Sequence, residues 1–298
     1  MGTSCSLHLY ADDLVAAERA AVAAAREIWR IEYRYSRYRA DSDLSAINQV
    51  AEVGGSIEVD DETAGLLDYA FAAYQKSDGL FDISSGLLRR AWNFKSQRLA
   101  DRQSLDELLP RVGLDKVVWE NSCLTFSVPG MELDFGGLAK EYAADRVAAT
   151  VESLGIRHGL VDLGGDIRLF GPHPGGEPWQ IGIRHPLCPK ELLATVPVSQ
   201  GAIATSGEYE RCITIEGRRY SHLLHPRTGW PVHGLASVTV INDQCLVAGS
   251  VCTIAMLKGH AGIDWLSQLG MLHLWSDSEG RQGGELAGQT LSNERRAA

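Results

Sequence analysis

The stretch that decides the fold is Leu133–Phe170, LDFGGLAKEYAADRVAATVESLGIRHGLVDLGGDIRLF. Its first half places Leu138, Tyr142, Ala143, Val147, Val151 and Leu154 on one helical stripe, and Gly155 stops the helix. Its second half holds two short apolar runs, LVDL and IRLF, broken by Gly164–Gly165. That is a helix handing over to an antiparallel hairpin, with no βαβ crossover. Outward from it the pattern repeats irregularly. Residues 4–10 alternate as a strand. Asp12 or Asp13 caps an Ala-rich helix reaching about Tyr35, and Asp60 or Asp61 caps a second helix. Residues 179–184, 195–198 and 211–224 read as strands, the last turning at Glu216–Gly217. Ala236–Asn242 is a strong strand, Ala248–Leu257 a buried helix, and 173–178 a loop. The expected class is α+β, a single domain over residues 1–280 with antiparallel sheets packed against helices, followed by a polar tail at 281–298.

The 298 residues carry 28 Lys+Arg against 38 Asp+Glu, a net charge of −10, and 45% are hydrophobic. An acidic chain without a basic patch argues against nucleic acid as partner. No apolar run nears the ~18 residues that a membrane span needs. MGTSCSLHLYADD lacks the basic and apolar regions of a secretory leader. The six cysteines form no CxxC pair. Together these point to a cytoplasmic protein with reduced thiols.

Five segments are rich in Gly, Asp, Ser, Thr and His: Ser36–Asn48; Gly79–Leu88 with Trp92 and Phe94; Leu133–Tyr142 with Asp145; Val161–Ile167; and Gly201–Arg211 leading into Ser221–Pro231. Each has two readings. Gly136–Gly137 is a tight turn, or lets backbone N–H groups approach a phosphate at a helix N-terminus beside Lys140. Gly164–Asp166 is a hairpin turn or a ligand loop. Thr205–Gly207 is a capped turn or an oxyanion cradle. His222 and His225 are structural or catalytic. Neither GxxxxGK[ST] nor GxGxxG occurs, nor a GxSxG elbow.

Taken together and in this order, DFGGLAKxYxxD, VDLGGDI, ATSGxYER and HLLHPRTGxPV followed by SVTV resemble the ApbE family, the FAD:protein FMN transferases. The resemblance runs from Met1 to about Gly259. It implies FAD as substrate and Mg²⁺ as cofactor. It implies cleavage of the FAD pyrophosphate, transfer of FMN to a Thr or Ser hydroxyl of a target protein, and release of AMP. FAD pyrophosphatase activity, or FAD binding without turnover, are the alternatives. By position, Ser36 and Asn48 belong to the flavin wall and Asp82 orders it. The Ala139 carbonyl and Thr253 face the metal, and Lys140 faces phosphate. Asp162, Gly164, Gly165 and Asp166 form the adenosine-side loop. Thr205, Ser206 and Gly207 form the flavin- or phosphate-facing turn. His222 is the general base, and Arg227, Thr228 and Gly229 complete its loop. Three positions depart from the family pattern. Gly249 stands where the family has a metal-binding Asp, Glu141 where it has Gly, and His225 where it has an acidic residue. A metal site without that carboxylate is expected to be weak. Gly249→Asp is accordingly expected to raise Mg²⁺-dependent turnover.

Overall fold

The hairpin after the central helix forms because Gly164 and Gly165 both take positive φ, 70° and 93°, at the turn. It is part of a larger order seen in the computed structural model, which describes residues 2–94, 98–188, 190–208, 212–215 and 218–288. The expected turn at Glu216–Gly217 lies outside those residues, as do Tyr209, Glu210 and Arg211 of the ATSGxYER motif.

The chain begins with β1 (Cys5–Tyr10), α1 (Leu14–Tyr35), α2 (Asp43–Val53), β2 (Gly55–Glu58) and α3 (Asp61–Lys76). A 3₁₀ segment (Ile83–Arg90), α4 (Arg102–Leu108), β3 (Val117–Glu120) and β4 (Cys123–Phe126) follow, then α5 (Ala139–Ser153). The later chain holds β5 (His158–Leu163), β6 (Asp166–Phe170), β7 (Trp179–Arg184), β8 (Leu192–Val198), β9 (Gly201–Gly207), β10 (Cys212–Ile215), β11 (Arg218–Ser221) and β12 (Leu235–Asn242). It closes with α6 (Cys245–Lys258), α7 (Ala261–Leu269), β13 (His273–Asp277) and β14 (Gln282–Gly283).

Seven strands form the main sheet in the order β1-β5-β6-β9-β12-β13-β14, and every pairing in it is antiparallel. Strand alternation sends neighbouring side chains to opposite faces. Ala204, Val238 and Val240 meet Ala248, Val251, Cys252 and Ala255 of α6 on one face. Ile203, Leu169 and Leu274 meet Ile183, Val196 and Val198 of the β7–β8 hairpin on the other. A third body of core joins α1, α2, α3 and α5 around Phe135, Leu133 and Leu67. Helix α6 is apolar nearly all round because it is enclosed by β9, β12, α5 and α7. The fold is α+β, with antiparallel sheets packed against helices.

Helix starts follow the caps. Asp13 accepts from Ala16 N at 2.7 Å and Asp60 from Thr63 N at 2.8 Å. The small sheet β2-β4-β3 has no counterpart among the sequence expectations. Its strands are too short for a period to register, although Asn121 and Ser122, both at positive φ, are an ordinary two-residue hairpin loop. Past residue 280 the chain is still in the main sheet: Gln282 and Gly283 pair with Ser276 and Trp275, and Leu286 is buried.

Candidate functional site

Three of the five segments converge where α5, α6, β6 and β9 pack together. Asp166 opens β6 next to its turn, and one of its oxygens accepts the Thr205 N–H of β9 at 3.2 Å. Its other oxygen takes the Lys140 ammonium from the first turn of α5. Lys140 also stands 3.4 Å from Glu141 Oε1. Ser206 and Thr253 share a hydroxyl–hydroxyl bond of 3.1 Å from β9 to α6, and Thr205 pairs with Thr239 at 2.8 Å. Helix α5 has no side-chain cap at Leu138, so its N-terminal end is not neutralised by one. Gly136–Gly137 leads into that end, and Gly136 N donates to Asp134 at 2.9 Å.

The start of α6 is held from α5. Gln244 makes no side-chain cap bond; instead Asp145 accepts from Cys245 N at 2.8 Å and Leu246 N at 2.9 Å. Burial raises the Asp145 pKa, opposed by those two amides and by Arg168. Thus α5 and α6 are locked in register at one end. Further along, a Cβ built on Gly249 would lie 2.6 Å from Glu141 Cγ and 3.2 Å from its Oε1. Glu141 therefore occupies the space that a side chain at 249 would fill. It is 6% exposed, and its Oε2 is buried without a hydrogen-bond partner.

Four of the singled-out residues hold backbone in place. Asn48 spends its amide on Leu133, donating to the carbonyl at 2.9 Å and accepting the N–H at 2.7 Å. Asp82 caps the 3₁₀ segment through Ser84 N at 2.8 Å and accepts Leu114 N at 3.3 Å; burial raises its pKa. Ser36 accepts from Tyr38 N at 3.2 Å. Asp162 accepts Gly165 N at 2.8 Å within the hairpin turn, and Gly164 N donates to Ser4 O at 3.0 Å. The Gly164–Gly165 tip thus leans on the N-terminal residues, while Asp166 turns inward to Lys140.

The His222–Gly229 loop packs against the second segment: Trp92 Nε1 donates to Gly229 O at 2.7 Å, and Arg227 reaches the Asp78 carbonyl. Thr228 Oγ1 accepts Trp230 N at 3.3 Å. Lys258, at the end of α6, pairs with Asp78 at 2.7 Å and so ties this loop region to the same helix. His225 explains itself. Its Nδ1 accepts the Arg227 N–H at 3.2 Å, the bond an aspartate makes to its own chain two residues on. Burial and the Arg227 charge hold its pKa below the usual value, so the ring stays neutral and able to accept. Imidazole here makes the turn-forming bond that an acidic side chain can make to its own chain.

Three groups gain a role from the packed chain that their sequence positions do not show. Arg37 pairs with Asp134, binding the first segment to the third. Glu141 was seen only as a departure from Gly. Glu208, directly after the Thr205–Gly207 turn, has its pKa pushed up to about 7 by burial, with Arg219 pulling the other way. Only packing reveals such a shift; its place beside that turn was the available signal. Cys245 and Cys252 are buried thiols with raised pKa, the latter at about 12, which makes them unreactive.

The sequence model described as "ApbE family" matches residues 1–274. The FAD:protein FMN transferase of Haemophilus influenzae is 30% identical over 240 residues, covering 77% of this chain and 69% of that protein. The enzyme of the same name from Vibrio cholerae is 31% identical over 240 residues, covering 78% and 72%. Among solved structures, the ApbE protein of Thermotoga maritima superposes with a TM-score of 0.85 at 30% identity, over 95% of this chain and 94% of that one. The flavinyl transferase ApbE of Pseudomonas stutzeri gives 0.86 at 27% identity, over 98% and 95%.

Proposed function

Since the chain belongs to the ApbE family, we propose that it is an FAD:protein FMN transferase, moving FMN from FAD to a Thr or Ser hydroxyl of a target protein and releasing AMP. The observation that carries this reading is the junction where Lys140 at the uncapped start of α5 pairs with Asp166, Asp166 accepts the Thr205 N–H of β9, and the next residue, Ser206, bonds Thr253 of α6. Two hydroxyls and a helix N-terminus suit a diphosphate, and Lys140 stands beside them, paired to Asp166.

In the proposed reaction the acceptor hydroxyl oxygen attacks the phosphorus on the FMN side. A new P–O bond forms, the bridging P–O bond breaks, and AMP leaves with the bridging oxygen. His222 takes the hydroxyl proton. Lys140 and the start of α5 fix the diphosphate so that attack and departure lie in line. The Arg37–Asp134, Asn48–Leu133 and Asp82–Leu114 contacts hold the wall assigned to the flavin. A divalent cation, when bound, neutralises charge on the phosphate oxygens. The Ala139 carbonyl and the Thr253 hydroxyl are the hard-oxygen donors assigned to it, and the buried, unpartnered Glu141 Oε2 between the same helices fits a cation there. A target protein as partner belongs to the same proposal. Among the described residues no helix is long and apolar enough to cross a membrane.

The test is incubation with FAD, Mg²⁺ and a protein bearing an acceptor Thr. Flavin fluorescence on the target band with stoichiometric AMP supports transfer. AMP with an unlabelled target assigns the protein as a pyrophosphatase, and bound FAD with neither product refutes catalysis. His222→Ala should lower transfer by about 10²–10⁴-fold, as expected for loss of a general base.

A further inference from the structure

An ionised carboxylate oxygen sealed in the interior without a hydrogen-bond donor is costly unless a charge meets it. Glu141 Oε2 is a carboxyl oxygen sealed in this way, without a hydrogen-bond partner. The neighbouring charges do not satisfy it. The one ammonium, Lys140, is divided between Asp166 and Glu141 Oε1, and Asp166 has the Thr205 amide for its other oxygen. Two carboxyl groups share one ammonium, and the Glu141 oxygen that no donor reaches is left without a partner. The nearest element on that side is α6, whose Gly249 opens the space: the Glu141 side chain lies where a residue at 249 would place its own. Thr253 is one turn further along α6, on the same face as Gly249, with its hydroxyl 3.1 Å from Ser206 Oγ.

We propose that Glu141 supplies, from α5, the metal-binding carboxylate that Gly249 removes from α6, so that a divalent cation is held by Glu141, the Ala139 carbonyl and Thr253. The two departures from the family pattern, Glu for Gly at 141 and Gly for Asp at 249, then form one exchange. A carboxylate leaves one helix and one a methylene longer enters from the other, so the volume between the helices changes little. On this assignment the site keeps a carboxylate although α6 supplies none. It also removes the expected gain from Gly249→Asp alone, which would drive a second carboxylate into an occupied space. The inference rests on the phosphoryl-transfer reading for its biological purpose, although the ligand assignment is tested separately.

Mn²⁺ is titrated into the full chain, with and without FAD, and free Mn²⁺ is followed by electron paramagnetic resonance. Glu141→Gln preserves shape and should weaken Mn²⁺ binding at least tenfold, since even supporting residues around a metal cost about 10–100-fold. The double variant Glu141→Gly/Gly249→Asp should recover affinity to within a few-fold of the wild type. It decides the matter if Glu141→Gln proves poorly folded by circular dichroism. Unchanged Mn²⁺ affinity in Glu141→Gln, no Mn²⁺ binding by the wild type, or failure of the double variant to recover it overturns the assignment. Glu141-dependent binding in a protein that labels no target would keep the ligand and remove the transferase reading. FMN transfer with a Glu141-independent ion would do the opposite.

Discussion

Gly249→Ala tests the α5–α6 packing without any metal. A Cβ there would stand 2.6 Å from Glu141 Cγ and 3.2 Å from Cδ. Carbon atoms in contact rest about 3.5–4.0 Å apart, so the buried Glu141 must give way by roughly 1 Å. Overpacking of that kind costs about 1–3 kcal/mol. Replacing a glycine inside a helix by alanine contributes about 0.5–1 kcal/mol in the other direction. Gly249→Ala should therefore destabilise by up to about 2.5 kcal/mol, the difference of the two. That corresponds to a fall in Tm of a few degrees at about 2–4 °C per kcal/mol. In a Glu141→Ala background the obstruction is gone and only the helix preference remains, so the same substitution should stabilise. The sign reversal, a coupling of about 1–3 kcal/mol, is read from urea unfolding of the four proteins of the cycle. If Gly249→Ala stabilises the wild-type chain, Glu141 does not occupy that space and the argument for the exchange fails with it.

Three further outcomes follow from the remaining contacts. His225 has a depressed pKa, so its contribution to stability is present above the ordinary 6.5 and is lost as pH falls through the lower folded value; His225→Asp should keep the turn bond and move that loss down into the carboxylate range, measured as Tm against pH. Glu208 has the opposite sign: its protonated form is favoured, so its contribution is full below about 4.5 and is lost as pH rises through about 7. Stability of the wild type relative to Glu208→Gln should decline over that window, and the carboxyl should titrate near neutrality by carbon NMR. Asn48→Leu leaves both the N–H and carbonyl of Leu133 without their partner and should cost about 1–3 kcal/mol per group in urea unfolding, with FMN transfer reduced because Asp134 follows directly.

Much of this was legible in the chain because its signals are local. Asp13 and Asp60 announce helix starts through bonds spanning three residues. Gly164–Gly165 announces a hairpin because two consecutive positive φ angles suit glycine above other residues. From such signals the sequence determined α1, α3, α5, α6 and the β5–β6 hairpin, whereas α2, α4, α7 and the small sheet β2-β4-β3 were settled by the packed chain. Tertiary structure decided what each side chain does there. Asn48 and Asp82 bind backbone, and only the packed chain shows which amides they reach. His225 holds its turn through one 3.2 Å bond that only the folded loop shows. Above all, Gly249 read as a loss and Glu141 as an oddity while they were far apart in sequence. A carboxylate is placed by where its oxygens end, not by where its Cα begins, and when two helices pack closely either one can supply it.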